Sequence, residues 1–188
     1  MANNITAVSL FTGAGGMDIG FERAGIKVVF ANELMSEAAA TYNANHTDGV
    51  MVNDDVNNIL DSLDRFKGVD LVFGGPPCRG FSVAGKMNPD DERSKLIFTF
   101  LDVVERVRPK AFVMENVKAL GVLEKWEPVR KMYLEKVHAL GYNCAPFILN
   151  ASEYGVSQKR ERVFFIQLFV LVKPRCIEFI AVFPEVAS

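Results

Sequence analysis

Cys78 stands in the turn Gly74-Gly75-Pro76-Pro77-Cys78-Arg79-Gly80-Phe81-Ser82, directly after the apolar run Val69-Asp70-Leu71-Val72-Phe73. Two prolines stiffen the amino side of the thiol and glycines free the backbone at both ends. A cysteine needed only for packing belongs inside the apolar run. One presented on a stiff turn at the end of a buried strand reads as a nucleophile. Glu115 follows a second apolar run, Ala111-Phe112-Val113-Met114, and so leaves a buried strand into the same crevice. Partial desolvation there raises the pKa of a carboxyl group and lets it hold a proton near neutral pH. Asn116 beside it can fix the neighbouring loop through its side-chain amide. Gln158, Arg160 and Arg162 alternate with Lys159 and Glu161. If extended, that segment puts the three on one face, fit to read a polar base edge or hold phosphate, or else to serve as a charged strand edge.

A second set of residues points to a bound nucleoside. The turn Phe11-Thr12-Gly13-Ala14-Gly15-Gly16 resembles a dinucleotide loop, although Asp18 occupies the place of the third glycine. Glycines let the backbone approach a ligand closely. Glu33 ends the second extended run, where a carboxylate can accept bonds from ribose hydroxyls. Phe11 can stack on a purine or belong to the core. Asp55 can accept from an adenine amino group or cap the helix that follows it. His46 and His138 have no carboxylate or cysteine at ligand spacing, and neither reads as catalytic or metal-binding.

Alternating runs supply the elements that must position these groups. Strands are expected near Thr6–Phe11, Lys27–Ala31, Gly49–Val52, Val69–Phe73 and Lys110–Met114. Helices are expected near Gly16–Ala24, Ser36–Asn45, Val56–Arg65, Ser94–Val107 and Pro128–Leu140. Extended runs at Tyr142–Leu149 and Arg162–Val172 suggest an antiparallel edge. The fold class is therefore α/β, a doubly wound and mostly parallel sheet. Ligands of such sheets bind beyond the carboxyl ends of the strands. All five candidate elements occur there: the glycine turn, Asn32-Glu33, Asp54-Asp55, Pro77-Cys78 and Glu115-Asn116.

The chain has 188 residues and a formal net charge of −2, which suits one domain with a sizeable core and gives no global basic excess for gripping nucleic acid. Its three cysteines, Cys78, Cys144 and Cys176, are widely spaced and form no metal-ligand pattern, so no metal is expected and a reducing cytoplasm fits best. The start Met1-Ala2-Asn3-Asn4-Ile5 carries no signal-peptide pattern, and no run is long enough to span a bilayer.

Five stretches, LFTGAGGMDIGFERAG, ANEL, GGPPCRGFS, MENVKAL and QKRERVFFI, occur in that order. Together they resemble the cytosine-carbon-5 DNA methyltransferases over roughly residues 5 to 166. The resemblance implies a sheet of the S-adenosylmethionine-dependent methyltransferase type. It implies S-adenosyl-L-methionine as cofactor, left as S-adenosyl-L-homocysteine, held by Phe11, Gly13, Gly15, Gly16, Glu33, Asp55, Val56 and Pro77. It also implies Cys78 as nucleophile, Glu115 as partner carboxyl group and Arg160 and Arg162 at the target base. The substrate would be double-stranded DNA, in a restriction-modification setting, with the cytosine flipped out of the stack. A tRNA-methylating member of the family is an alternative. An NAD-type oxidoreductase would leave Cys78 without a role.

The chain departs from the family's pattern in places. Ser9 stands where aspartate is usual and Arg79 where glutamine is usual. After Ile166, family members continue into a target-recognition domain and a returning last segment, whereas this chain runs through an apolar tail to Ser188. The expected organisation is a catalytic domain over residues 1–166, an atypical tail over 167–188, and no target-recognition domain. One expectation is a truncated or frame-shifted product with an unrelated tail after Ile166. Another is a split enzyme in which a second chain supplies the missing domain, and the third is a non-catalytic cofactor-binding remnant.

Overall fold

In the computed structural model, the described residues are 5–46, 48–77 and 92–169, with side chains from residue 95 in the last block. Cys78 and the turn residues that follow it lie outside them, as does the tail beyond Phe169. The strands are β1 (Thr6–Leu10), β2 (Lys27–Glu33), β3 (Met51–Asn53), β4 (Leu71–Gly74), β5 (Ala111–Val117), β6 (Tyr142–Asn150) and β7 (Glu161–Phe169). The helices are α1 (Gly16–Arg23), α2 (Ser36–Asn45), α3 (Val56–Ile59), α4 (Glu92–Val107), α5 (Lys118–Val122) and α6 (Glu127–Ala139). One seven-stranded sheet has the order β3-β2-β1-β4-β5-β7-β6. Strands β1 to β5 are parallel to one another, and β7 is antiparallel to both β5 and β6. The expected doubly wound sheet with an antiparallel edge is what forms.

Period-two alternation splits the strands between two cores. On one face Val8, Leu10, Val72, Phe112 and Met114 pack with Ile97, Phe100, Leu101 and Val104 of α4 and with Val129, Tyr133 and Val137 of α6. On the other Ala7, Leu71, Phe73 and Val113 pack with Phe21 of α1 and Tyr42 of α2, the Phe21 and Phe73 rings 4.3 Å apart. Gln167 interrupts an apolar run in the sequence yet is fully buried. Its amide nitrogen faces the Phe112 and Phe165 carbonyls at 2.8 and 2.7 Å, while its oxygen accepts from the Tyr133 hydroxyl at 2.6 Å. A buried polar group so satisfied costs little.

Several boundaries differ from the sequence reading, each for a local reason. The helix expected over Val56–Arg65 is α-helical only through Ile59 and tightens to a 3₁₀ turn over Leu60–Phe66. Asn57, Asn58, Asp61, Ser62 and Asp64 are poor formers of helix interiors, and Ser62 Oγ donates to the Ile59 carbonyl at 2.7 Å. Helix α4 starts at Glu92, ahead of the Ser94 expected to open it. Strand β2 runs on through Glu33 and β5 through Val117, so Glu33, Glu115 and Asn116 are the last residues of strands and not the first of loops. The short helix α5 was not anticipated. Among the described residues no helix is long and apolar enough to cross a membrane.

Candidate active site

Gly74, at the end of β4, pairs with Leu10, at the end of β1. A Cβ on Gly74 would overlap the Leu10 carbonyl oxygen, so glycine is what lets these two strand ends, and the turns they feed, lie close together. The β1 turn opens with Phe11 at φ 53°, a left-handed conformation that a bulky residue adopts only when its surroundings impose it. Gly13 follows at φ 57° and Gly15 at φ 87°. The Cβ directions of Gly13 and Gly16 meet nothing within 4 Å, leaving their backbone approachable.

Glu33 fastens this turn to its neighbour. Its Oε2 accepts from the Gly13 amide and its Oε1 from the Met35 amide, both at 2.9 Å. Each carboxylate oxygen keeps a further lone pair for an outside hydroxyl. Asn32 extends the chain of links, its Nδ2 donating to the Val52 and Asp54 carbonyls at 3.1 and 2.9 Å. Asp55 caps α3, its Oδ1 accepting from the Asn57 amide and from Asn57 Nδ2, both at 2.8 Å. The capping role weighed for it from sequence is therefore occupied by one oxygen. The other makes no hydrogen bond to a described residue. Val56, at the first position of α3, is buried.

The β4 and β5 ends meet around Gly75-Pro76-Pro77. Asn116 is buried; its Nδ2 donates to the Pro76 carbonyl at 3.2 Å and its Oδ1 accepts from the Val117 amide at 2.9 Å. The sequence-based idea that Asn116 fixes the adjoining loop thus holds. Glu115 abuts that loop as well: a Cβ on Gly75 would lie 3.1 Å from Glu115 Oε2. Glu115 Oε1 pairs with Arg162 Nε at 3.0 Å, with side chains 21% and 25% exposed. The antiparallel register explains the pair. Glu115 lies opposite Phe164 and Val117 opposite Arg162, which puts Glu115 and Arg162 on one face as diagonal neighbours.

Burial pushes the Glu115 carboxyl above its ordinary value, against the opposing pull of Arg162 and then Arg160. The carboxyl expected to hold a proton more readily than usual does so here. Arg160 is exposed, and its backbone amide donates to Asn150 Oδ1 at 3.1 Å. The extended segment expected through Gln158, Arg160 and Arg162 begins only at Glu161. The preceding residues form a 3₁₀ turn over Ala151–Tyr154 and an irregular return pinned by Asn150, so period-two alternation does not govern Gln158 and Arg160. Burial raises the Cys144 thiol to about 11, which suits a structural thiol and no nucleophile.

Sequence reading passed over one cluster beneath the glycine turn. Asp18 of α1 is fully buried, and the Tyr42 hydroxyl donates to its Oδ1 at 3.3 Å. Burial holds its carboxyl above the ordinary range in spite of the Ser9 and Tyr42 hydroxyls that face it. His46, passed over for want of a carboxylate nearby in sequence, has Glu22 at 3.3 Å through its Nδ1. A spacing rule along one helix cannot see a partner on another.

The strand order, with its antiparallel seventh strand and its polar residues along one rim, is that of the S-adenosylmethionine-dependent methyltransferase fold. The model of the C-5 cytosine-specific DNA methylases matches residues 5–169, and the chain belongs to that family. It is 42% identical over 163 residues to the type II methyltransferase M.AgeI of Thalassovita gelatinovora, covering 84% of this chain and 38% of that protein. It is 40% identical over 177 residues to the type II methyltransferase M.AquIA of a Picosynechococcus strain, covering 85% and 70%. Among solved structures it resembles an E. coli protein described as a prophage-encoded DNA modification methyltransferase, with a TM-score of 0.75, 31% identity, and coverage of 88% and 47%. The S. pombe Dnmt2 methyltransferase shares the fold at a TM-score of 0.68 and 21% identity, with coverage of 90% and 50%. The chain spans less than half the length of most of the curated relatives it matches, from 38% to 48% of each.

Proposed function

We propose that this chain is the catalytic region of a DNA cytosine-5 methyltransferase of a restriction-modification system, acting through a covalent adduct of Cys78 with a flipped cytosine. The observation that carries the reading is the Glu115–Arg162 pair set against the Gly75-Pro76-Pro77 turn that leads into Cys78. The cofactor fits the opposite side of the same rim. Gly13 and Gly16 leave open backbone, Glu33 has spare lone pairs between two turns, Asp55 keeps one oxygen, and Phe11 is held in a strained conformation. Those residues, with Gly15, Val56 and Pro77, would hold S-adenosylmethionine, which when bound supplies an electrophilic methyl group.

The residues then have separate tasks. Carbon 5 of cytosine is a poor nucleophile, so the Cys78 thiolate adds to carbon 6, and the displaced ring electrons make carbon 5 nucleophilic. A free thiol has a pKa of about 8.5, so cationic arginine and loop amides near the turn must favour the thiolate. Glu115, whose carboxyl is raised by burial, is the group placed to donate a proton to ring nitrogen 3 as negative charge develops there. Arg162 keeps that carboxyl in place, and Arg160 adds positive charge at the base. After methylation carbon 5 gives its proton to water, the electrons left behind expel the thiolate from carbon 6, and ring nitrogen 3 returns its proton to Glu115, which restores the ring.

The test is covalent trapping on a mixed-sequence DNA duplex carrying 5-fluorocytosine, whose carbon 5 has no proton to lose. Wild-type chain with S-adenosylmethionine forms an adduct that survives denaturing electrophoresis, and Cys78→Ala forms none. Trapping that persists in Cys78→Ala overturns the assignment.

A further inference from the structure

The cofactor turn rests on a surface supplied by α2, an element with no cofactor-binding residue assigned to it. Gly15 is buried, and its φ of 87° already disfavours a side chain. A Cβ at that position would overlap His46 Nε2 and come within 2.8 Å of Tyr42 Cδ2. The two rings are stacked, with centroids 4.0 Å apart and planes 14° from parallel. Tyr42 is anchored below by its hydroxyl on the buried Asp18 carboxyl, and His46 is tied sideways to Glu22 of α1 through Nδ1. His46 Nε2 is buried with no hydrogen-bond partner among the described residues. The ring therefore meets the Gly15 backbone through van der Waals contact at its unpaired Nε2 edge, while its other nitrogen is held by Glu22.

We infer that His46, backed by Tyr42, is a positioning residue for the cofactor turn, and that position 15 is glycine because this ring stands there and not because a ligand does. The inference rests on the reading of the turn as the S-adenosylmethionine site. It reassigns Gly15 from ligand contact to floor contact, while Gly13 and Gly16, which face open space, keep the ligand. The mechanical consequence is direct. Gly15 N donates to the Thr12 carbonyl at 3.1 Å and its carbonyl accepts from Ile19 at 3.0 Å, so a shift of Gly15 moves both the turn and the start of α1.

Three variants separate ring, volume and hydrogen bond: His46→Ala removes the floor, His46→Phe keeps the ring without its nitrogens, and Tyr42→Phe keeps the stack without the hydroxyl. Amide exchange of Gly15 and Ile19, followed by NMR without cofactor, is expected to quicken about tenfold or more in His46→Ala and to stay within about twofold in His46→Phe. Exchange at the β5–β7 ladder stays unchanged throughout, which excludes general destabilisation. Calorimetry with S-adenosylhomocysteine follows the same order, about tenfold weaker for His46→Ala and near wild type for His46→Phe. If His46→Ala does not fold, His46→Leu, which fills volume without a flat face, takes its place with the same expectation. Unchanged exchange in the floor-removing variant, or equal damage from His46→Phe, overturns the inference. A wild-type chain that binds no S-adenosylhomocysteine sinks the cofactor reading instead, and the exchange measurements still decide the role of the ring.

Discussion

The two ends of the candidate site use carboxylates in opposite ways. On the β1–β2–β3 side, Glu33 spends both oxygens on backbone amides and Asp55 spends one on a helix cap. These acids are fasteners that hold turns in place before any ligand arrives, and the same bonds leave lone pairs pointing to a second use. On the β4–β5–β7 side, Glu115 is held by one arginine side chain and is raised by burial. Burial raises that group against the pull of Arg162, and among the described residues no backbone amide donates to it. On the proposed reading, preorganisation belongs to the cofactor side and proton transfer to the base side.

The comparison breaks most sharply at Cys78, which is the one group neither half replaces: Cys78→Ala is expected to abolish adduct formation while leaving cofactor affinity unchanged. Glu115→Gln comes next. It keeps size and loses the proton, so methyl transfer by the active complex should fall on the order of 10²-fold or more, read in single-turnover assays. Cofactor binding should again be spared. The pH dependence carries a sign. The Glu115 carboxyl is raised from 4.5, so its contribution to stability is fully present below that value and is lost as pH rises through the higher folded value. Denaturant titrations should show wild type losing stability relative to Glu115→Gln with rising pH across that window. Adduct formation, if Glu115 acts as acid, weakens over the upper part of the same window.

Smaller effects sharpen the other half. Glu33→Ala frees two turns at once and is expected to weaken S-adenosylhomocysteine binding by about tenfold or more, equivalent to ~1.4 kcal/mol, with no change at the base side. Asp55→Ala should cost about 1 kcal/mol through loss of the α3 cap, measured by chemical denaturation. If Glu33→Ala instead left affinity untouched, the fastening role and the ligand role would both fail, and the contrast between the halves with them.

Much of this was legible in the residues, because strand ends in an α/β sheet announce themselves by where apolar runs stop. Val69–Phe73 and Ala111–Met114 placed the turn before Cys78 and Glu115 next to each other without any coordinates. Less accessible was everything decided across elements. That Arg162 reaches Glu115 depends on β7 running antiparallel in one particular register, which alternation along a single segment cannot specify. The Asp18–Tyr42 and Glu22–His46 links join α1 to α2 and carry no local signature. The Val56–Arg65 segment misled because its apolar spacing is helical while its Asn, Asp and Ser content is not.

The antiparallel strand has a consequence for biosynthesis. Strands β1 to β5 are complete once residue 117 has been made, but Arg162 is not yet there to pair with Glu115 and β5 is an open edge. The site's ion pair and the closing of that edge wait on the same later stretch, residues 161–169, which arrives from the opposite direction. A nascent chain stalled before that stretch would expose a sticky strand and an unmatched acid together. Ribosome-bound intermediates should therefore gain protection at β5 and seat Arg162 beside Glu115 in a single event.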